Sequence, residues 1–242
     1  MSLSINCIAQ DKDKKPTIIN LDNSAPTALT PFNAKYVVTR GRLTLGNIKR
    51  QLTQLDDEKF VFSYMSDLSF LILSDRRKES AEILIKDNKV QPLRYLFRRE
   101  GTGTDTETTI KFDHVNNKVI DVDLSREIEC STDFHWFDQI SYQLQMKIDL
   151  KVDQKQYEYY LINDDKKEKI YTFNIIAEEE LTVPAGTFKT IKLERERSNK
   201  KRITHVWMVP ELGNLIVRIR QEKDGSEQAD AQLETVTFNA IK

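Results

Sequence analysis

Six side chains are the best candidates to meet a ligand: Tyr95, Phe97, Tyr142, Trp207, Arg195 and Arg197. The two arginines continue the alternation of Ile191 and Leu193, and in a strand residues two apart share a face. If that face stays inward, the strand ends in a cationic stretch poised for an anionic group such as a fatty acid or lipid head. The plainer reading is a strand end leaving the core, since long basic side chains reach water easily. Hydrolysis would need a nucleophile on a sharp turn beside a base. No Gly-x-Ser-x-Gly elbow exists, and Gly225-Ser226 lies in a polar hairpin tip. His135 or His205 with nearby acids is the remaining option for such a site. Cys130 and His135 are five apart with no second ligand pair, too little for zinc. Gly101-Thr102-Gly103-Thr104 has neither the third glycine nor the strand–helix setting of a phosphate cradle. No metal and no cofactor are expected.

The elements that would position these residues are strands. Of 242 residues, 37 are Lys or Arg and 38 Asp or Glu, a formal charge of −1. That balance argues against nucleic acid or an anionic membrane surface as the main partner. At 39% hydrophobic and 31% charged the chain is globular, and no apolar run reaches the ~20 residues of a spanning helix. From Ala34 onward, apolar residues alternate between turn signals. Phe60, Phe62 and Tyr64 form one such set, and Tyr171, Phe173 and Ile175 another. Leu215, Val217 and Ile219 lead to Asp224-Gly225, the strongest hairpin signal in the chain. Ile203, His205, Trp207 and Val209 share one parity and are expected to face inward. The spacing predicts about a dozen antiparallel strands, a single large meander barrel or half-open barrel, with one or two short helices. One amphipathic helix is expected within Phe134–Lys147, capped by Asp133 or Asp138, and a shorter one within Ser66–Leu73. Residues 34–242 read as one β-barrel-like domain.

Residues 1–33 read as a leader arm, partly disordered. Met1-Ser2-Leu3 has the look of an expression leader, and Cys7-Ile8-Ala9 that of the small-x-small end of a signal peptide; an ordinary frayed terminus fits as well. With cleavage after Ala9, Cys130 would be the lone cysteine, a structural thiol. A periplasmic or otherwise exported location follows from this reading.

Three stretches carry a resemblance. They are Asp138-Gln139-Ile140-Ser141-Tyr142-Gln143-Leu144, Thr182-Val183-Pro184-Ala185-Gly186-Thr187-Phe188, and Trp207-Met208-Val209-Pro210-Glu211-Leu212-Gly213. Together the chain resembles the bacterial domain-of-unknown-function family 3108, over about Tyr36 to Phe238. The resemblance implies an exported β-rich envelope domain and brings no catalytic residue with it. The residues themselves read as β-corners: Pro184 and Gly186 shape one turn, and Pro210 and Gly213 another.

Two functions follow as expectations. The first is a non-catalytic exported barrel that binds an apolar or amphipathic ligand (a lipid or fatty acid) or an envelope protein partner, with Tyr95, Phe97, Tyr142 and Trp207 lining or gating the interior. In a variant of it the helix plugs the barrel and no ligand exists. The second is an envelope hydrolase with a His/acid site at the barrel mouth.

Overall fold

The computed structural model describes residues 18–20, 24–197 and 201–239; the signal-peptide reading of Cys7-Ile8-Ala9 lies outside them. The chain forms β1 (Ile18–Asn20), β2 (Phe32–Arg40), β3 (Leu43–Gln54), β4 (Lys59–Phe70), β5 (Leu73–Lys86) and β6 (Lys89–Gly101). Next come β7 (Thr106–Asp113), β8 (Lys118–Asp121), β9 (Arg126–Ile128), β10 (Trp136–Phe137) and the helix α1 (Ser141–Asp149). The last part holds β11 (Gln156–Ile162), β12 (Glu168–Val183), β13 (Gly186–Glu196), β14 (Arg202–Val209), β15 (Leu215–Lys223) and β16 (Ser226–Phe238).

All 16 strands belong to one sheet. β2 to β9 follow one another as a meander, and β10 to β16 follow as a second run. The two runs join where β16 pairs antiparallel with β2, Leu233 opposite Tyr36. The sheet therefore curls nearly full circle, and its break falls in the middle of the chain, between β9 and β10. It is a half-open barrel rather than a closed one. β1 adds to β16 in parallel, Ile18 opposite Val236, so part of the expected arm is sheet. β2 opens with Phe32, which is buried among the core aromatics.

Alternation explains the curl. Phe32, Ala34, Tyr36 and Val38 are buried along β2 while Asn33 and Lys35 are exposed, and the same rhythm buries Phe60 and Phe62 on β4 and Tyr95 and Phe97 on β6. A sheet with one apolar face must cover it, and right-handed twist accumulated over many strands lets the sheet cover itself. Asp224 and Gly225 both take positive φ between the paired Lys223 and Ser226, as a two-residue hairpin requires. Pro210 ends the β14 ladder and Gly213 closes the short 3-10 turn at φ +63°.

Three expectations are corrected. Ser66–Leu73 is not helical: its first part continues β4, with Ser66 opposite Ile48 and Leu68 opposite Gly46. Leu71 and Ile72 form a hairpin tip, 88% and 94% exposed. Apolar neighbours there are a protruding turn rather than a helix face. The other helix starts later than expected: Trp136–Phe137 is a short strand parallel to β11, and Ser141, expected mid-helix, is its first residue. Asp138 holds the helix start and Asp133 does not. Finally, β14 has the opposite parity. Val206 lies opposite Leu193 on the inner face, and Trp207 lies opposite Lys192 on the outer one. Both parities of β14 are apolar, so alternation could not choose between them.

Leu71 carries φ +55° at that exposed tip, a left-handed conformation that costs a non-glycine residue about 1–2 kcal/mol. Leu71→Gly is expected to raise the thermal midpoint by about 2–4 °C; an unchanged or lower midpoint in calorimetry would contradict the strain.

Candidate functional site

The helix closes one end of the barrel. Asp138 starts it: Oδ1 accepts the N–H groups of Ile140 at 2.9 Å and Ser141 at 2.8 Å, and Ser141 Oγ accepts the Asp138 N–H at 3.0 Å. This reciprocal pairing satisfies donors that a helix start leaves open. Gln145 ties the helix to the β5–β6 turn, its Oε1 accepting Val90 N–H at 2.7 Å and its Nε2 donating to the Asn88 carbonyl at 3.2 Å. From the β14–β15 turn Asn214 donates to the Lys147 carbonyl at 2.8 Å. Ile140, Leu144 and Met146 are buried against the sheet. The result is a cup with α1 as its floor, and the β2–β3, β4–β5 and β15–β16 hairpin tips lie at the opposite end.

Above the floor lies a cavity of about 380 Å³, within the size range of small-molecule pockets. Its two sides differ. Val38, Ile48, Val206, Ile216, Ile219 and Ala231, from β14 round to β3, form a mainly apolar wall that Thr204 and Gln221 interrupt. Tyr64, Glu79, Gln139, Tyr142, Tyr171 and Arg195, from β4, β5, the helix region, β12 and β13, form a polar one. Arg50 and Gln143 meet between the walls, the guanidinium donating to the Gln143 side-chain oxygen.

Burial sets the proton affinities of the polar wall. Glu79 accepts the Tyr95 hydroxyl at 2.6 Å, yet its removal from water dominates and pushes its carboxyl up to about 7. Asp138, fully buried behind that wall, is pushed up to about 6 by the same cause against the hydrogen bonds its carboxyl accepts. The hydroxyls of Tyr95 and Tyr142 are raised by burial as well. Asp75 goes the other way: Arg77 bonds it at 2.8 Å and holds it below the usual carboxylate range.

The six candidate residues separate. Tyr142 and Arg195 line the cavity, Arg195 stacked on the Tyr171 ring 3.1 Å from its centroid. Tyr95 stands behind Glu79 and acts through it. Phe97 is a core side chain on β6 that does not line the cavity. Arg197 sits half-buried one step beyond Arg195, its Nη2 3.4 Å from Thr204 Oγ1, a cavity-lining group. Trp207 is on the outside of the sheet. Its indole N–H donates to Glu179 at 2.6 Å, and Lys192 and Arg218 cover its ring. It is buried without facing the cup. Arg50, Glu79, Tyr64 and Tyr171 were missed as site residues. Arg50 alone carried a signal, being a charged residue in the buried parity of Ile48 and Leu52.

The histidines lie elsewhere. His135 Nε2 contacts the Val90 carbonyl at 2.7 Å near the closed end, its ring stacked on His114. His205 Nε2 is 2.9 Å from Glu194 on the outer face. Cys130 is half-buried, and burial pushes its thiol up.

One solved structure echoes the fold. A β-barrel-like protein of the domain of unknown function DUF1849 from Brucella abortus aligns over 90% of this chain and 100% of its own, at 8% identity and a TM-score of 0.58. A lipoprotein candidate from Parabacteroides distasonis aligns over 87% and 97% at 12% identity with a TM-score of 0.35. No curated protein matches the sequence. The family model described as "Protein of unknown function (DUF3108)" matches residues 35–232, from β2 well into β16, and the chain belongs to that family.

Proposed function

We propose that the protein is a non-catalytic, exported module whose half-open barrel holds an apolar or amphipathic molecule in the cup above α1. The observation that carries this reading is the division of the cavity into an apolar and a polar wall. An amphipathic molecule satisfies both walls at once, whereas a purely apolar one would leave the Arg195 Nε unpaired, and leaving a buried polar group unpaired costs about 1–3 kcal/mol. Arg195 supports an anionic or hydrogen-bond-accepting ligand, since its Nε is buried without an acceptor. Export rests on the family resemblance and on the Cys7-Ile8-Ala9 segment.

Native mass spectrometry tests it, on protein as purified from cells and after incubation with dodecanoate. The expected result is a one-to-one adduct in either sample, weakened by Arg195→Leu at the polar wall. A clean apo mass in both samples removes the reading. Turnover of generic ester, phosphate or glycoside substrates, lost in His135→Ala or His205→Ala, would favour the hydrolase instead.

A further inference from the structure

Two cations are buried at the floor of the cup with no carboxylate to balance them. Arg50 on β3 is 6% exposed and Lys147 on α1 is 3% exposed. The Nε of Arg50 and the Nζ of Lys147 are both buried without a hydrogen-bond acceptor. Among the described residues neither takes part in an ion pair. The carboxylates of the interior are committed elsewhere: Glu79 to Tyr95, Asp75 to Arg77 and Arg99, Asp138 to the helix start, and Asp149 to Gln145 and Tyr159. Apart from the Arg50–Gln143 hydrogen bond, what the cations do have is aromatic faces. Arg50 lies 5.4 Å from the Phe62 centroid and 6.0 Å from that of Tyr36, and Lys147 lies 4.7 Å from that of Phe32. Phe32 and Phe62 touch edge to face at 6.3 Å, so the two cations sit over adjoining rings. Cation–π contact returns less than the removal of an ion from water costs. The imbalance is resolved if Lys147 gives up its proton or if an anion sits between the two groups.

The surroundings favour the anion. Arg50 lines the cavity together with Gln143 and Met146, while Lys147, one turn after Gln143 on α1, lies over the Phe32 ring just behind that lining. The helix carrying it is held at its middle by Gln145 and near its C-terminal end by Asn214, so Lys147 keeps its place without a ligand. Burial, with Arg50 nearby, pushes the Lys147 ammonium down to about 7, which leaves its charge to be decided by whatever binds.

We propose that the floor of the cup is an anion site, where Arg50 and Lys147 together receive the carboxylate or phosphate head of an amphipathic ligand that enters head first. The tail then runs along Val38, Ile48, Val206 and Ile219 toward the open end, which is the reverse of a ligand held by Arg197 at the strand end. The proposal rests on the reading of the cup as a pocket for an amphipathic molecule, and it fixes the chemical class and the polarity.

Calorimetric titration with dodecanoate, dodecyl phosphate and dodecanol tests it on the wild type, Arg50→Met, Lys147→Met and Arg195→Leu. At least one of the two anions is expected to bind the wild type ten-fold or more tighter than dodecanol, and the tighter of them names a fatty-acid or a phospholipid source. Lys147→Met and Arg50→Met should each lose ten-fold or more of that affinity while retaining dodecanol, with a smaller loss for Arg195→Leu. Should Arg50→Met fail to fold, lysine side-chain NMR on the wild type replaces it. Lys147 is expected to titrate near neutral pH alone and well above it with the anion bound. Anion affinity unchanged in Lys147→Met, or a Lys147 titration that ignores the anion, overturns the floor site and leaves the cup reading standing. Failure of all three ligands to bind the wild type overturns both.

Discussion

Glu79→Gln should make the protein more stable at pH 8 by about 2–3 kcal/mol and flatten the dependence of its stability on pH between about 4.5 and 7. The glutamate is pushed from its ordinary 4.5 up to about 7, burial outweighing the Tyr95 hydrogen bond; each pKa unit is worth about 1.4 kcal/mol. The sign follows from which state holds the proton. Between 4.5 and 7 the unfolded chain has lost it and the folded chain keeps it, so stability falls as pH rises through this window and stays low above it. Asp138, raised from 3.8 to about 6, acts in the same direction over a slightly lower window. Lys147, lowered from 10.5 to about 7, acts in the opposite direction and higher up: its folded form is neutral while the unfolded one is charged, so stability falls as pH drops from about 10.5 to 7. Below 7 both states of Lys147 are charged and its slope vanishes. The three groups together place a minimum of stability near pH 7. Glutamine preserves the acceptor for Tyr95 and removes the ionisable group. Urea unfolding at pH 5 and pH 8 measures the effect; a Glu79→Gln variant that is no more stable than the wild type at pH 8 would show that Glu79 is not held in an ion-excluding site.

The second large effect is expected at Asp138, where charge and hydrogen bonding can be separated. Asp138→Ala is expected to be about 2–5 kcal/mol less stable than Asp138→Asn, because alanine leaves the Ile140 and Ser141 N–H groups buried without an acceptor, at about 1–3 kcal/mol each. Asparagine keeps the oxygen at Oδ1 and removes a carboxylate whose Oδ2 is buried and unpartnered. Alanine should also loosen the floor helix, seen as faster amide exchange across Ser141–Asp149. Equal stability of the two variants would mean that the helix start draws nothing from Asp138.

The Asp138 effect sits in a motif legible in the sequence. Asp138 and Ser141 are three apart in the stretch that carries the family resemblance, and three-residue spacing is what a helix start uses. The turns were equally readable. Asp224-Gly225, Pro184 to Gly186 and Pro210 to Gly213 each demand a backbone that only a few residue types accept, and each is a turn in the structure. Local chemistry decides such sites. The face of β14 was not readable, because Val206 and Trp207 are both apolar and each parity offers a plausible interior. What buries Trp207 on the outside is the pair Lys192 and Arg218, brought there by strand pairing across β13 and β15.

The sequence by itself determined that the chain is a mainly antiparallel β structure, with turns at set places, a helix near the middle and an apolar face continuous from strand to strand, because alternation and turn chemistry are properties of neighbouring residues. Only the tertiary structure decided that the sheet stays open between β9 and β10 and that α1 closes one end. The same is true of which charges are shut inside. Arg50 and Gln143 are 93 positions apart, and nothing local to either signals the other. Their meeting depends on how far a twisted sheet must curl before its apolar face is covered. Electrostatic consequences follow from that curl, since a carboxyl or an ammonium group changes its proton affinity only when water is taken away from it.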